Sequence, residues 1–305
     1  MLPCVTILRL SKSPSNEFNS TDMSSPPSTL SRGRRRLVGV STKMYFSFTR
    51  TTAYISTLLK LLSEQSPETL ASLQDIDVFV LPDHISLISV ISQLRHHDNT
   101  SPISILVGAQ DAFYEEAGAF TGEVSPAVLA EVGCRILELG HAERRRLFGE
   151  TDDIAAKKAA AAARNGISPL VCVGERTKPP IIDTTGSEGG VLDTKAALPE
   201  ISAQVETVLN ALPHSADVIL AYEPVWAIGA AAPASASYVV AMARAIRELE
   251  CVRRRPVGST RILYGGSAGP GLFAKLKDGV DGLFLGRFAH DPEQFVKTIL
   301  EIAAA

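Results

Sequence analysis

The sequence lacks several features that would assign it to a broad functional class. No run approaches the roughly 18 consecutive apolar residues that a membrane-spanning helix needs, so we expect a soluble protein without a membrane partner. No sign of charge dominates, because the formal net charge is -3, which argues against nucleic acid or an anionic membrane as the main partner. With 305 residues and 45% apolar composition, the chain can still build a sizeable core.

Cysteine is scarce, and its spacing excludes two further classes. The four cysteines lie far apart and include no CxxC pair: Cys4, Cys134, Cys172 and Cys251. This spacing suggests neither a zinc site nor a disulfide framework. We also predict that the chain uses no metal and no other cofactor. A reducing compartment, the cytoplasm, fits such cysteine usage.

Residues 1–36 differ in composition from the rest of the chain. They are rich in Ser, Pro and Asn, poor in aromatic residues, and close on an Arg cluster, "SRGRRR". This composition favours a disordered tail. An excess of basic over acidic residues also suits a mitochondrial presequence, but frequent Pro and a poor amphipathic pattern speak against that alternative.

From Leu37 onward, short apolar runs rich in branched residues alternate with segments of helical spacing. Eight such runs are predicted as strands: 37–40, 78–81, 105–109, 135–139, 170–173, 218–222, 261–264 and 282–285. Buried strands that alternate with helices predict a parallel sheet. Eight repeats favour a closed barrel. The alternative, an open doubly wound sheet, typically carries a GxGxxG motif after the first strand, and this sequence has none there. We therefore predict an α/β protein with one (β/α)8 barrel domain over residues 37–305.

Chemistry in such barrels gathers at the carboxyl ends of the strands. There the predicted strands deliver Ser41 and Lys43 (first strand), His141 (fourth) and Glu223 (sixth). These side chains should therefore meet at one mouth although they lie far apart in the chain.

Seven segments, spread over residues 37 to 297, resemble segments of a known family and follow one another in the same order as in that family. They are "GVSTKMYF", "GAFTGEVSP", "ELGHAERRRLFGETD", "LVCVGE", "AYEPVWAIG", "RILYGGS" and "VDGLFLG". With them the sequence resembles triosephosphate isomerase, and "YEPVWAIG" together with "GHAERRRLFGE" is the most specific part. The resemblance implies an isomerase that interconverts dihydroxyacetone phosphate and glyceraldehyde 3-phosphate through an enediolate.

The resemblance also implies roles for three side chains. Glu223 corresponds to the family's base, His141 to its electrophile and Lys43 to its ammonium group. Physically, a carboxylate can move a proton between neighbouring carbons while an imidazole and an ammonium group balance the developing charge. The alternative reading makes them a surface acid, a hydrogen-bonded core residue and a solvated strand end.

Several glycine-rich turns resemble the family's phosphate loops. Such turns can bind an anion, because their exposed amide groups can face it. Each turn taken singly is also explained as an ordinary tight turn. We expect Glu143 and Arg144 to form a charge pair that positions Lys43, the alternative being a surface ion pair. The predicted substrate and phosphate ligands are Ser41, Gly229, Gly265, Gly266, Ser267, Gly286 and Arg287.

Several positions depart from the family's pattern and leave the substrate open. Ser41 stands where the family carries Asn, Ala142 stands where it carries Ser, and Arg287 replaces a Gly. Residues 230–234 lack the usual Thr-Gly-Lys segment. In these departures the sequence resembles relatives that isomerise four-carbon erythrulose phosphates by the same proton transfer. A non-catalytic sugar-phosphate-binding barrel is the third alternative.

Two loops lie outside the usual core. The segment "AQDAFYEEAGAFTGEVS" resembles the family's protruding dimer loop with Thr121 near its tip, which implies a homodimer; the alternative is a loop folded back on its own barrel. Residues 178–195 form a Gly- and Thr-bearing excursion of unknown role after the fifth strand.

Overall fold

Eight parallel strands close into a barrel. The computed structural model describes residues 35–98, 104–182, 191–228 and 234–305. The barrel strands, in chain order, are β1 (Arg36–Ser41), β2 (Ile76–Leu81), β3 (Ile105–Ala109), β4 (Ile136–Leu139), β5 (Ser168–Val173), β8 (Val218–Tyr222), β9 (Thr260–Gly266) and β10 (Gly282–Leu285). Two short strands between β5 and β8, β6 (Ile181–Ile182) and β7 (Val191–Leu192), do not belong to the barrel. Each barrel strand pairs in parallel with the next barrel strand in this order, and β1 pairs with β10 to close the barrel.

Helices cover the outside of the barrel. They are α1 (Phe48–Ser63), α2 (Pro67–Ser72), α3 (Leu87–Asp98), α4 (Pro126–Val132), α5 (Ala142–Phe148), α6 (Asp152–Arg164), α7 (Thr194–Asn210), α8 (Ala236–Arg247), α9 (Glu250–Arg253), α10 (Phe273–Leu276) and α11 (Pro292–Ala304). Most of the longer helices begin at a Ser, Thr or Asp whose side chain accepts a hydrogen bond from a first-turn amide, as Thr151 does from Ile154.

The two faces of each strand bury different parts of the core. Alternate residues such as Leu37, Phe79, Ile136 and Leu170 pack together inside the barrel. The residues between them pack outward against the helices. Because both faces are buried, the strands read as continuous apolar runs rather than as alternating ones.

The predicted barrel is confirmed, and the strand bounds differ from prediction by two residues at most. The predicted tail ran to residue 36, but Arg36 already begins β1 and pairs with Ile76 of β2. Arg35 is held by Asp77, whose carboxylate lies 3.1 Å from the Arg35 Nε. Residues 1–34, where the predicted disorder falls, lie outside the described residues.

The excursion after β5 contains a small antiparallel pair. Strands β6 (Ile181–Ile182) and β7 (Val191–Leu192) pair with each other, and α7 begins at Thr194 with Asp193 as its cap. Residues 183–190, between the two strands, lie outside the described residues.

Within the described ranges, no helix is both long and apolar enough to cross a membrane. Three cysteines there are free: Cys134, Cys172 and Cys251. The same ranges hold no cluster of three His, Cys, Asp or Glu side chains suited to a metal ion.

Candidate active site

The carboxyl ends of the strands surround a cavity of about 490 Å³. Its walls include side chains that follow β1, β4, β8, β9 and β10, because all parallel strands end at the same rim. The lining residues are Ser41, Lys43, Tyr45, His141, Glu143, Glu223, Ile228, Gly266, Ser267, Phe284, Leu285, Gly286, Arg287 and Phe288.

Glu223 follows β8 directly and lies in the wall of this cavity. Its backbone N–H donates to the carbonyl of Val173 at 2.9 Å, which extends the pairing of β5 and β8 by one residue. Gly174 permits this approach, because a Cβ there would lie 1.9 Å from the Glu223 carbonyl oxygen. The side chain is 13% exposed. Burial raises the pKa of Glu223 to about 7, although the charge of Lys43 opposes the rise.

His141 is the cap residue of α5 and is buried beside Glu223. Its Nδ1 accepts a hydrogen bond from the backbone N–H of Glu143 at 3.1 Å, which leaves the proton of the neutral ring on Nε2. That Nε2 lies 3.4 Å from Oε2 of Glu223. Burial, together with the charge of Lys43, lowers the pKa of His141 to about 4. The imidazole is therefore neutral near pH 7, with its N–H toward the cavity.

Lys43 adopts a backbone conformation that non-glycine residues rarely adopt. Its φ of 47° is the only positive value at a non-glycine residue in the described part of the chain. The amide of Gln110 holds this turn by donating to the Lys43 carbonyl at 3.1 Å and to the Leu81 carbonyl at 3.0 Å. The turn directs the ammonium group into the cavity, 3.4 Å from Nε2 of His141. Two N–H donors thus face the same space.

Glu143 fixes the ammonium group of Lys43. Its Oε1 lies 2.8 Å from the Lys43 Nζ. Burial alone would lower the pKa of Lys43, but this hydrogen bond and the nearby carboxylates raise it above its ordinary value. Burial would likewise raise the pKa of Glu143, yet Lys43 and His141 lower it. Both groups are therefore charged near pH 7.

Arg144 has other partners than the predicted one. Its guanidinium group contacts Glu150 at 2.5 Å and Asp111 at 2.9 Å, and it does not contact Glu143 in the structure. The predicted charge pair between Glu143 and Arg144 is therefore absent from the structure, and Glu143 contacts Lys43 without Arg144. Glu150 lies in the short connection between α5 and α6, and Asp111 follows β3.

The rim of the cavity at β9 and β10 is made of turns. Gly266, Ser267, Gly286 and Arg287 lie there, and the φ of 132° at Gly266 favours glycine. Gly265 lies within β9, is buried beside Glu223 and does not line the cavity. Gly229 lies outside the described residues.

Sequence reasoning missed Glu138. This acid lies in β4, is 4% exposed, and accepts a hydrogen bond from the Ser41 hydroxyl at 3.1 Å. A usable signal was present, since an acid inside the apolar run "RILELG" needs a partner or a function when both strand faces are buried.

Comparisons with known proteins agree on one family. The sequence pattern of the family described as "Triosephosphate isomerase" matches residues 36–302. The L-erythrulose-1-phosphate isomerase of Pectobacterium atrosepticum is 44% identical, over 86% of this chain and 93% of that protein. The triosephosphate isomerase of Aquifex aeolicus is 35% identical, over 87% of this chain and 98% of that protein. The L-erythrulose-1-phosphate isomerase of Rhizobium etli is 36% identical, over 88% of this chain and 92% of that protein.

Proposed function

The chain belongs to the triosephosphate isomerase family and is a sugar-phosphate isomerase, and from this premise we propose that its substrate is a four-carbon ketose phosphate. The observation that supports the reaction type most directly is the meeting of Glu223 and His141. An acid with a pKa near 7 and a neutral imidazole N–H lie 3.4 Å apart in one cavity.

The proton is moved by Glu223. Its carboxylate takes a proton from the carbon next to the substrate carbonyl and returns it to the neighbouring carbon, so the base is restored at the end of each cycle. A base whose pKa lies near the working pH suits both steps, because it must accept and release the proton with similar ease. A second proton passes from the substrate hydroxyl oxygen to the former carbonyl oxygen through Nε2 of His141, so atoms and electrons balance within the substrate and the proposed reaction needs no co-substrate.

The charge that develops on the two substrate oxygens is stabilised by His141 and Lys43. Both donors face the space beside Glu223, and both are held by Glu143, through its backbone N–H and its carboxylate. Donors fixed before the reaction lower the barrier without reorganising during it. The turns at Gly266 and Gly286 are the proposed site of the phosphate group.

Three observations favour a four-carbon substrate. The relative from Pectobacterium atrosepticum, at 44% identity, is named for L-erythrulose 1-phosphate. Ser41 is shorter than the Asn usual in triosephosphate isomerases and leaves more room in the part of the cavity that it lines. Arg287 adds a cation at the rim, where the family usually has a Gly.

Dihydroxyacetone phosphate is the second candidate substrate. It is supported by the 35% identity to the triosephosphate isomerase of Aquifex aeolicus, and by the presence of Lys43, His141 and Glu223 in one cavity. Because the proton transfer is the same for both substrates, the reacting groups alone do not distinguish them.

The test is to incubate the purified chain separately with L-erythrulose 1-phosphate and dihydroxyacetone phosphate in D₂O. We expect isomer formation, with deuterium at the carbon that receives the proton, and a higher kcat/KM for the four-carbon substrate. The matched control is Glu223→Gln, which keeps the shape of the side chain but cannot take the proton. Absence of both isomerisation and deuterium exchange would favour the non-catalytic binding barrel.

We further propose a homodimer formed through the loop around Thr121. Residues 117–123 at the tip of this loop are exposed, so their own barrel does not cover them. Large apolar side chains are also exposed near the barrel mouth, with Met44 95% and Ile85 85% exposed. Light scattering of the wild-type chain should give twice the monomer mass, and Thr121→Arg should shift the equilibrium toward monomer. A wild-type monomer at micromolar concentration would refute this proposal.

The cytoplasm is the proposed compartment, with mitochondrial import through residues 1–36 as the alternative. The three free cysteines suit a reducing environment. Comparing the location of the tagged full chain with that of a chain lacking residues 1–34, which keeps β1 complete, tests it. Loss of a mitochondrial location on deletion would favour the alternative.

A further inference from the structure

Arg145 is a charged residue of α5 that the reaction described above does not include. It lies four residues after the cap residue His141, and its side chain turns back toward the end of β4. Only 22% of this side chain is exposed, and its Nη2 atom is buried. A guanidinium group that is largely removed from water costs stability unless its N–H groups are used, so its partners indicate its role.

Two successive backbone carbonyls accept hydrogen bonds from Arg145. The side-chain Nε donates to the Gly140 carbonyl at 2.7 Å, and the backbone N–H donates to the His141 carbonyl at 3.0 Å. The second bond is an ordinary bond of the first helical turn. The Gly140 carbonyl, in contrast, lies after β4 and before α5. The guanidinium group therefore holds a carbonyl that belongs to neither element.

The turn at Gly140 brings this carbonyl within reach of the guanidinium group. Gly140 has a φ of 62°, in the left-handed region that favours glycine. A Cβ there would lie 3.0 Å from Nη2 of Arg145 and 3.0 Å from the Cβ of Ala155 in α6, so a larger residue would press on both. The Nη1 atom of Arg145 lies 2.5 Å from Oδ1 of Asp152, the first residue of α6. Arg145 thus ties the end of β4 to the start of α6.

These contacts determine where the imidazole of His141 lies. The carbonyls of Gly140 and His141 belong to the two planar peptide units on either side of the His141 Cα, so holding both fixes the direction of its Cα–Cβ bond. The ring is then oriented by its Nδ1, which accepts from the backbone N–H of Glu143. Its Nε2 lies 3.4 Å from Oε2 of Glu223 as a result. A shift of the turn by about 1 Å would misplace this donor enough to cost of order a hundredfold in rate.

We infer that Arg145 is a positioning residue that holds the turn at Gly140 and thereby sets how far the His141 imidazole reaches into the cavity. Its planar group suits this task, because Nε and Nη1 serve a carbonyl and a carboxylate at once, whereas a lysine ammonium is a single point charge. The inference rests on the proposed function, since it adds a residue to the same site.

Kinetics of variants at position 145 give the first test. Arg145→Met keeps a long apolar stem and loses both side-chain bonds. It should lower kcat by about tenfold to a hundredfold and change KM by less than about threefold, because the proposed phosphate turns follow other strands. The matched control is Arg146→Met, which removes the same charge from the exposed next residue of α5 and should keep the wild-type kcat.

Chemical rescue separates this role from a general loss of stability. Arg145→Ala removes the guanidinium group from a site that solvent reaches, since the side chain is 22% exposed. Guanidinium ion at millimolar concentration should raise the kcat of this variant severalfold, and methylammonium ion, which lacks the planar fork, should not. A variant that is merely less stable would gain nothing from an ion that denatures proteins.

Nitrogen NMR of the His141 ring tests the inference without turnover. In the wild-type chain Nδ1 accepts a hydrogen bond and Nε2 carries the proton, so the two ring nitrogens should give well-separated signals, which His141→Gln assigns. In Arg145→Met these signals should move toward each other, because the ring loses its fixed orientation, and in Arg146→Met they should not. Wild-type protein that isomerises neither ketose phosphate would refute the proposed function, while these spectra would still decide the inference.

Two results would overturn the inference. One is Arg145→Met with the kcat and the His141 signals of the wild type. The other is a loss of kcat in Arg145→Met with unchanged His141 signals and no rescue of Arg145→Ala by guanidinium ion. If neither variant folds, as judged by thermal unfolding, Arg145→Lys replaces them. It should lose part of the kcat and shift the same signals, and wild-type values of both would overturn the inference.

Discussion

Shortening the base by one methylene group is the sharpest perturbation of the proposed reaction. In Glu223→Asp the carboxylate stays in the cavity wall but withdraws from the space that it shares with His141. The two groups lie 3.4 Å apart in the structure, from Oε2 to Nε2. Withdrawal by about 1 Å takes the base out of reach of the substrate carbon, since misplacement of that size can cost of order a hundredfold in rate.

The expected result is a fall in kcat of about a hundredfold, or about 2.7 kcal/mol in barrier height. KM should change little, because the proposed phosphate turns at Gly266 and Gly286 remain in place. The fold should persist as well. The backbone N–H of residue 223 still donates to the Val173 carbonyl, and the preceding residue, Tyr222, stays buried. Deuterium exchange into the substrate measures the proton transfer directly.

The control for a general effect of shortening an acid is Glu131→Asp on α4, which is exposed and lies outside the cavity lining. It should keep wild-type turnover. Unreduced kcat in Glu223→Asp, with the unfolding transition unchanged, would show that Glu223 is not the base.

Three further predictions follow from the same geometry. Because burial raises the pKa of Glu223 to about 7, the ionised base is lost as pH falls, so kcat/KM should drop about tenfold per pH unit well below 7; a flat profile between pH 5 and 7 would contradict this. His141→Gln should lower kcat by about a hundredfold to a thousandfold with a smaller change in KM, and an unchanged kcat would exclude the imidazole from the reaction. Lys158→Met removes the buried one of two cations that pair with Asp111 and Glu150, leaving only the partly exposed Arg144, and should cost about 1–3 kcal/mol of unfolding free energy in urea titrations. The exposed neighbour Lys157→Met should cost under about 0.5 kcal/mol, and equal effects would refute the reasoning.

The sequence was sufficient to predict the barrel, because its signal is local and repeated. Each strand is an apolar run buried on both faces, and each crossover has helical spacing, so eight alternations leave few other architectures. The same regularity brought Lys43, His141 and Glu223 to one cavity, since every parallel strand ends at the same rim.

What only the tertiary structure decided is which side chains meet across the barrel. Ser41 and Glu138 lie 97 residues apart on strands that are not neighbours in the sheet. Their contact depends on the stagger of strands around the closed barrel, which no local pattern encodes. The orientation of Arg144 toward Glu150 rather than Glu143 has a similar origin, because it depends on where the folded chain places Glu150 and Asp111.

The protonation states of the site belong to the tertiary structure as well. The sequence alone determined that a carboxyl group and an imidazole end two strands of one barrel. Burial then raises the pKa of Glu223, whereas burial with the charge of Lys43 lowers that of His141. Removal from water and the distance to neighbouring charges set both shifts, and these exist only once the chain is folded.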